Sequence, residues 1–220
     1  MPAVLFDIDG TLVTFKFDAR GTRKALIEEL TRSGLDASAL DLDSPTQKII
    51  DAARAQALSG RAGVEFEVLK KRMYSILDDF EEESSRQATV FPGAKETLIF
   101  LRSRSVRLAV LTNSGRKAAY SALRKAELTD CFDFVLTRED VGTMKPSPDG
   151  ILEAVNRFSM PKSEICYVGD GVYDIVAAKA AGLRVISVAT GIYTPERLRD
   201  EGADVVISSL KELPALLAVR

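Results

Sequence analysis

Six short runs of apolar residues recur along the chain, and all but the fifth have Gly, Asp or Thr directly beside them. They cover residues 3–6, 108–111, 132–136, 165–168, 185–188 and 205–207. Strands that are covered on both faces carry nearly continuous apolar sequence, as the strands of a parallel sheet do. The pattern therefore predicts six buried strands.

From residue 92 onward, these runs alternate with segments of helical period. Residues that favour helix N-termini begin the first three segments: Pro92, then Ser114 as a cap, then Ser147, Pro148 and Asp149 as N-cap, N1 proline and dipole-matched acid. Further helices are predicted at residues 172–181, ending at Gly182, and at 195–201 and 210–218. The alternation predicts an α/β protein with a doubly wound, mainly parallel, Rossmann-like sheet.

Residues 15–88 have a different pattern, with helical periods at 23–33, 46–58 and 66–80 and no convincing strand. They predict a helical insertion after the first strand, which leaves residues 1–14 and 89–220 as the α/β core. The acidic and polar run at 81–85, together with the polar residues after it, predicts a solvated hinge or a helix end.

The composition of the chain excludes several kinds of catalytic site and of binding partner. The 220 residues are 46% hydrophobic and 28% charged, with a net charge of −2 and no histidine. A near-neutral chain lacks the basic excess that drives binding to nucleic acid or an anionic membrane, so we expect neither partner. The absence of histidine excludes Ser-His-Asp and Cys-His catalysis and HExxH zinc sites.

The two cysteines, Cys131 and Cys166, are far apart and lack CxxC spacing. No signal peptide pattern precedes Val4, and the longest apolar stretches are too short to span a bilayer. We therefore expect two buried thiols in a reduced, cytoplasmic protein without a membrane segment.

The sequence Asp7-Ile8-Asp9-Gly10-Thr11 directly follows the first predicted strand. Residues two apart on a strand face the same way, so Asp7 and Asp9 can place two carboxylates together at its carboxyl end. Adjacent carboxylates repel unless a cation lies between them or one is protonated. The motif therefore indicates Mg²⁺, an acid/base pair or both, and the alternative is an acidic turn.

Two further strand ends carry polar groups. Asp170 lies at the end of the strand predicted from the fourth run, and Asp174 follows one helical turn later. Both can therefore approach one cation, although Asp170 alone could cap the helix. Thr112, Asn113 and Ser114 offer hydroxyl, amide and backbone N–H donors that suit a phosphate, or only a helix cap.

Lys145 precedes Pro146, which keeps it in the loop before the next predicted helix. Its ammonium can neutralise phosphate charge, although a lone lysine is usually solvated surface. Four predicted strand ends carry, in order, two carboxylates, a hydroxyl with an amide, a lysine, and two more carboxylates. This joint order favours a functional role for each of these groups over its structural alternative.

With these four motifs in this order, the chain resembles the haloacid dehalogenase superfamily of phosphohydrolases. The motifs are Asp7-Ile8-Asp9-Gly10-Thr11, Thr112-Asn113, Lys145, and Gly169-Asp170 with Asp174. The resemblance covers residues 1–14 and 90–220. The helical insertion resembles the cap of the phosphoglycolate phosphatase and β-phosphoglucomutase branch, as does the stretch 174–182, and this implies a cap domain at residues 15–88.

The resemblance implies a role for each motif residue. Asp7 is the implied nucleophile that forms an aspartyl-phosphate, and Asp9 the implied acid and base. Mg²⁺ is implied to bind the Asp7 carboxylate, the Asp9 backbone carbonyl, Asp170 and, directly or through water, Asp174. The implied phosphoryl ligands are Thr112, the Asn113 backbone and Lys145. The chain departs from many relatives at Gly171, where they carry Thr or Ser.

The implied activity is that of a Mg²⁺-dependent phosphatase acting on a small phosphorylated metabolite of the phosphoglycolate or sugar-phosphate type. One alternative is a phosphomutase of the same branch, and another is a non-catalytic, phosphate-binding regulatory protein. Asp9 argues against dehalogenation, which needs neither a second acid at this position nor Mg²⁺.

Overall fold

A computed structural model describes residues 3–14, 16–60 and 63–217. Its centre is a six-stranded sheet in which every paired strand is parallel, in the order β3-β2-β1-β4-β5-β6. The strands are β1 (Ala3–Phe6), β2 (Arg107–Leu111), β3 (Phe134–Leu136), β4 (Ile165–Gly169), β5 (Arg184–Val188) and β6 (Val205–Ile207). The predicted α/β class and parallel sheet are confirmed.

The sheet forms because both of its faces are covered by apolar side chains. In β1, Val4 and Phe6 join a cluster on one face, whereas Ala3 and Leu5 join a second cluster on the other, and all four are fully buried. Side chains alternate between faces along a strand, so a continuous apolar run serves both clusters.

Helices cover the two faces and form the insertion. Their bounds are α1 (Ala19–Arg32), α2 (Thr46–Leu58), α3 (Phe66–Gln87), α4 (Ala94–Ser103), α5 (Arg116–Lys125), α6 (Asp149–Phe158), α7 (Val172–Ala181), α8 (Pro195–Asp200) and α9 (Leu213–Leu216). Gly182 follows α7 in the left-handed conformation that ends helices, as predicted.

Three predicted helix starts are wrong. Gly93 is the N-cap of α4, so Pro92 lies before the helix. Gly115, and not Ser114, is the N-cap of α5, because the Ser114 hydroxyl is bonded to a carboxylate elsewhere in the fold. Pro148 occupies the N-cap position of α6, so it is not the first helical residue.

The prediction of a helix end in the polar residues after the run 81–85 is confirmed at Gln87, but the prediction that the run itself is solvated is wrong. Helix α3 continues to Gln87, and Glu81, Ser84 and Ser85 are buried. These positions continue the buried stripe that includes Leu77, at the spacing of one helix face. The burial of that helix face, and not the charge of the run, therefore determines that these residues are helical and buried.

The chain divides into two compact units, one of residues 1–15 and 85–220 and the other of residues 16–84. The second unit contains α1, α2 and most of α3. No helix in the described parts of the chain has the length and apolarity to cross a membrane. The two cysteines are free and buried, as predicted.

The chain leaves and re-enters the first unit through a short antiparallel ladder. Val13 pairs with Val90, the Thr14 N–H donates to the Thr89 carbonyl at 2.8 Å, and the Thr14 and Thr89 hydroxyls lie 3.0 Å apart. Residue 15, the predicted start of the helical insertion, and residue 218, the predicted end of the last helix, lie outside the described residues.

Candidate active site

The candidate residues lie at the carboxyl ends of the central strands. Asp7 and Asp9 follow β1, Thr112 and Asn113 follow β2, and Asp170 follows β4. Strand β1 lies between β2 and β4 in the sheet, so the sheet extends to one side of β1 through β2 and β3 and to the other side through β4, β5 and β6. In doubly wound sheets, ligands bind at such a switch point. The topology therefore brings together motifs that are more than 100 residues apart in sequence.

The turn after β1 is shaped by Gly10 and holds Asp170. Gly10 has a φ of +87°, which L side chains rarely adopt, and a Cβ there would lie 2.4 Å from an Asp170 carboxylate oxygen. The Thr11 hydroxyl donates to Asp170 Oδ1 at 3.0 Å. The D-x-D-G-T motif therefore supplies its own carboxylates and also positions one from another strand.

Three carboxylates and one ammonium form the centre of the site. Carboxylate oxygens of Asp7, Asp170 and Asp174 all lie within 4.8 Å of one another. The Lys145 ammonium donates to Asp7 Oδ1 at 2.6 Å and to Asp174 Oδ1 at 2.7 Å. When all three carboxylates are ionised, the ammonium balances one of their charges, and a divalent cation held by carboxylate oxygens would balance the other two. The donor set therefore fits Mg²⁺.

Burial governs the ionisation of these groups. It raises the pKa of Asp7 well above its usual value, with Lys145 opposing the rise, and raises the pKa of Asp170 to about 7, with the charge of Asp174 adding to the effect. Burial alone would lower the pKa of Lys145, but the carboxylates of Asp174 and Asp7 together raise it well above its usual value. Lys145 is therefore a permanent cation here.

Asp9 has different surroundings from the other carboxylates. Its Oδ2 accepts a hydrogen bond from the Ser114 hydroxyl at 2.5 Å and another from the Thr112 hydroxyl at 3.4 Å. Burial raises the pKa of Asp9, and these hydrogen bonds only partly offset the rise. Asp9 is therefore suited to exchange a proton, while the two hydroxyl groups fix its orientation.

The side chain of Asn113 is bonded to Lys145. Its Nδ2 donates to the Lys145 carbonyl at 2.9 Å, and its Oδ1 accepts from the Lys145 N–H at 2.8 Å. The Asn113 amide therefore positions the lysine, and only the backbone of Asn113 remains for a phosphate. The alternative of Lys145 as solvated surface is wrong, because the residue is 6% exposed.

Asp170 does not cap the following helix. Gly171 is the N-cap of α7, and its N–H donates to Asp174 Oδ2 at 2.9 Å. Asp174 thus has one oxygen bonded to the helix start and the other bonded to Lys145. Sequence reasoning grouped the two acids correctly but could not assign these partners.

Three further residues beside the site were missed by the sequence reasoning. The Tyr167 hydroxyl bonds to both Lys145 and Asp174. The Thr190 hydroxyl donates to the Gly10 carbonyl at 2.6 Å, and a Cβ at Gly191 would lie 1.8 Å from Asp170 Oδ2. Tyr167 offered a signal, because a phenol within a buried strand must find a polar partner. Thr190 and Gly191 lie in a loop after β5 and offered none.

The ends of the central strands of this parallel sheet carry buried carboxylates, a lysine and hydroxyl groups. This arrangement is typical of an α/β enzyme whose chemistry relies on acids and an ammonium. The chain belongs to the family described as haloacid dehalogenase-like hydrolase, whose model matches residues 4–188. The resemblance seen in the sequence and the expected hydrolase class are confirmed.

Individual relatives cover nearly the whole chain. The phosphoglycolate phosphatase of Nitrosospira multiformis is 28% identical over 98% of this chain and 95% of that protein. "Probable phosphatase IndB" of Dickeya dadantii is 31% identical over 96% of this chain and 91% of that protein. The structure of a family hydrolase from Deinococcus radiodurans, with bound phosphate and sodium, has a TM-score of 0.63 at 27% identity over 99% of this chain and 95% of that one.

Proposed function

We propose that this protein is a Mg²⁺-dependent phosphatase that hydrolyses a small phosphomonoester through an aspartyl-phosphate. The observation that carries the proposal is the buried group of Asp7, Asp170 and Asp174, with the Lys145 ammonium bonded to Asp7 and Asp174. Similarity to a phosphoglycolate phosphatase and to a hydrolase solved with bound phosphate supports it. Phosphoglycolate is therefore the first substrate to test.

In the first half of the reaction, an Asp7 carboxylate oxygen attacks phosphorus, and the bond from phosphorus to the leaving oxygen breaks. Asp9, whose pKa is raised by burial, gives its proton to that oxygen. The products are an aspartyl-phosphate on Asp7, a neutral alcohol and an Asp9 carboxylate. In the second half, Asp9 takes a proton from water, which attacks phosphorus and releases phosphate from Asp7.

Mg²⁺ would be held by the carboxylates of Asp7 and Asp170, by the Asp9 backbone carbonyl, and by Asp174 directly or through water. When bound, the ion supplies charge neutralisation at the phosphoryl oxygens. The Thr112 hydroxyl and the Asn113 backbone bind and orient the transferring phosphoryl group, and Lys145 binds it through the positive charge of its ammonium, whose N–H groups are bonded to protein oxygens. Lys145 is suited to this role because it is buried, charged and bonded to the proposed nucleophile.

The test is phosphate release from a panel of phosphoglycolate, sugar phosphates, nucleotides, pyrophosphate and an aryl phosphate, with and without Mg²⁺. We expect release only with Mg²⁺, and none from the Asp7→Asn variant. Transfer of phosphate between positions of a sugar, without net release, would identify a mutase. A folded protein that binds phosphate but converts no substrate would identify a regulatory protein, and either result would overturn the proposal.

A further inference from the structure

Tyr167 forms a buried triangle with two residues of the candidate site. Its hydroxyl accepts from Lys145 Nζ at 2.9 Å and donates to Asp174 Oδ1 at 2.8 Å, while Lys145 Nζ also donates to Asp174 Oδ1 at 2.7 Å. The direction of these bonds is fixed, because an ammonium only donates. The single phenolic proton must therefore point to Asp174.

The contacts account for all three N–H groups of the ammonium. They reach Asp7, Asp174 and Tyr167 at 2.6, 2.7 and 2.9 Å, and the nearest further acceptor is the Leu111 carbonyl at 3.4 Å. Loss of the phenol oxygen would leave one N–H with only that more distant carbonyl. The ammonium would then have a different lowest-energy position relative to Asp7.

Packing alone does not explain the hydroxyl. The Tyr167 ring lies in the apolar cluster beside β4, with Leu5 and Val185 as register partners on the neighbouring strands, and the residue is fully buried. A phenylalanine would fill the same space without burying a polar atom, which costs free energy unless it is hydrogen-bonded. The two hydrogen bonds of the hydroxyl connect a lysine to an acid.

We propose that Tyr167 is a positioning residue that holds the Lys145 ammonium between Asp7 and Asp174 and fixes the rotamer of the Asp174 carboxylate. The role rests on the proposed phosphatase function, since Lys145 is there the ligand of the transferring phosphoryl group. Tyr167 itself touches neither the phosphoryl group nor the cation in this proposal. Its effect on turnover passes through Lys145 and Asp174.

The test compares Tyr167→Phe with a matched control on the same strand. Cys166 is the adjacent residue of β4, is buried, and belongs to the apolar cluster on the opposite face of the sheet. Cys166→Ala therefore perturbs the same strand without reaching Lys145 or Asp174. Both variants and the wild type are assayed for turnover of an aryl phosphate, for Mg²⁺ binding by calorimetry and for melting temperature.

We expect Tyr167→Phe to lower kcat about tenfold, as loss of one hydrogen bond to a charged group would, with KM changed less than about threefold. Mg²⁺ should bind about threefold more weakly, because the Asp174 carboxylate is less well oriented. Cys166→Ala should keep wild-type kcat and Mg²⁺ affinity even if its melting temperature falls as much as that of Tyr167→Phe. If Tyr167→Phe does not fold, Tyr167→Met is the second variant without the hydroxyl.

Unchanged kcat and Mg²⁺ affinity in Tyr167→Phe would overturn the proposal, and so would equal losses in Cys166→Ala. If the wild type binds Mg²⁺ but releases no phosphate, the phosphatase function fails while calorimetry still tests Tyr167. Weaker binding in Tyr167→Phe alone would then support the positioning role, and equal binding would reject it. A wild type that binds no Mg²⁺ would reject both.

Discussion

The side chain of Asn113 makes two hydrogen bonds to the backbone of Lys145, one to its N–H at 2.8 Å and one to its carbonyl at 2.9 Å. The two residues follow different strands, so this pair fixes the lysine loop to the end of β2. A terminal amide is the only uncharged side-chain group that offers one acceptor and two donors. The contact therefore depends on the chemistry of asparagine.

Asn113→Ala should lower turnover at least tenfold, because both bonds to the lysine loop are lost and the ammonium is no longer fixed beside Asp7. Phosphate release under saturating Mg²⁺ measures the effect. Asn156→Ala, at an exposed position of α6, is the control and should keep wild-type turnover. Equal activity of the two variants would show that the loop is held without Asn113.

Much of the fold was predictable because its determinants are local. Each strand of a parallel sheet is buried on both faces, so runs such as residues 165–168 are visible in the sequence. The candidate site was predictable for a related reason, since the ends of parallel strands meet at one edge and carry Asp7, Asp9 and Asp170 there.

The predictions from the sequence were wrong, or missed a residue, where tertiary contacts determine the structure. Ser114 precedes a helix and has the chemistry of a cap, but its hydroxyl bonds to Asp9, which is 105 positions away. Glu81 belongs to a charged run that predicts solvent exposure, yet it lies on the buried face of α3. Gly191 is required by the close approach of the Asp170 carboxylate, a distance that no sequence pattern encodes.

Asp7→Asn should abolish turnover and leave the fold intact. The amide keeps the shape of the side chain but is a far poorer nucleophile toward phosphorus, so we expect a loss of at least about a thousandfold. Phosphate release and circular dichroism measure the two effects. Asp130→Asn, at an exposed position, is the matched control. Near-normal phosphate release by Asp7→Asn would exclude the covalent mechanism.

Chelation should remove activity and added Mg²⁺ should restore it. Ca²⁺ should inhibit, because its longer and less rigid coordination misplaces the nucleophile relative to the phosphoryl group. We expect Asp170→Ala to weaken Mg²⁺ binding more than Asp174→Ala, since both oxygens of Asp174 also bond to protein groups. Calorimetry checks the order, and full activity in excess chelator would remove Asp170 from the ligand set.

The raised pKa of Asp170 predicts a pH-dependent stability of the metal-free protein. Burial raises this pKa to about 7 from an ordinary value of 3.8, so the folded state binds the proton more tightly than the unfolded state does. The contribution of Asp170 to stability is therefore present below about pH 4 and is lost as the pH rises through about 7.

Asp170→Asn removes this charge and keeps an oxygen to accept from Thr11. In a chelator, the variant should therefore be more stable than the wild type at pH 8, by on the order of 2–4 kcal/mol. The difference should shrink toward pH 5, where the wild-type carboxyl is protonated. Urea unfolding at both pH values measures it, and a difference independent of pH would contradict the pKa shift.

The last prediction concerns the helical unit of residues 16–84. The resemblance to the cap-bearing branch leads us to expect a mobile cap that shields the aspartyl-phosphate from stray water and selects the substrate. The ladder between residues 12–14 and 89–91 offers a place to remove it, because the Thr14 and Thr89 hydroxyls are only 3.0 Å apart. A short Gly-Ser linker from residue 14 to residue 89 would close the core over this gap.

Such a deletion should lower turnover of the native substrate much more than turnover of a small aryl phosphate. The aryl leaving group needs little recognition and little protonation, whereas a metabolite would depend on the expected cap for its orientation. Circular dichroism and Mg²⁺ calorimetry establish that the core is folded and binds its cation. With those controls passed, equal losses for both substrates would mean that the helical unit supports the core structurally and does not select the substrate.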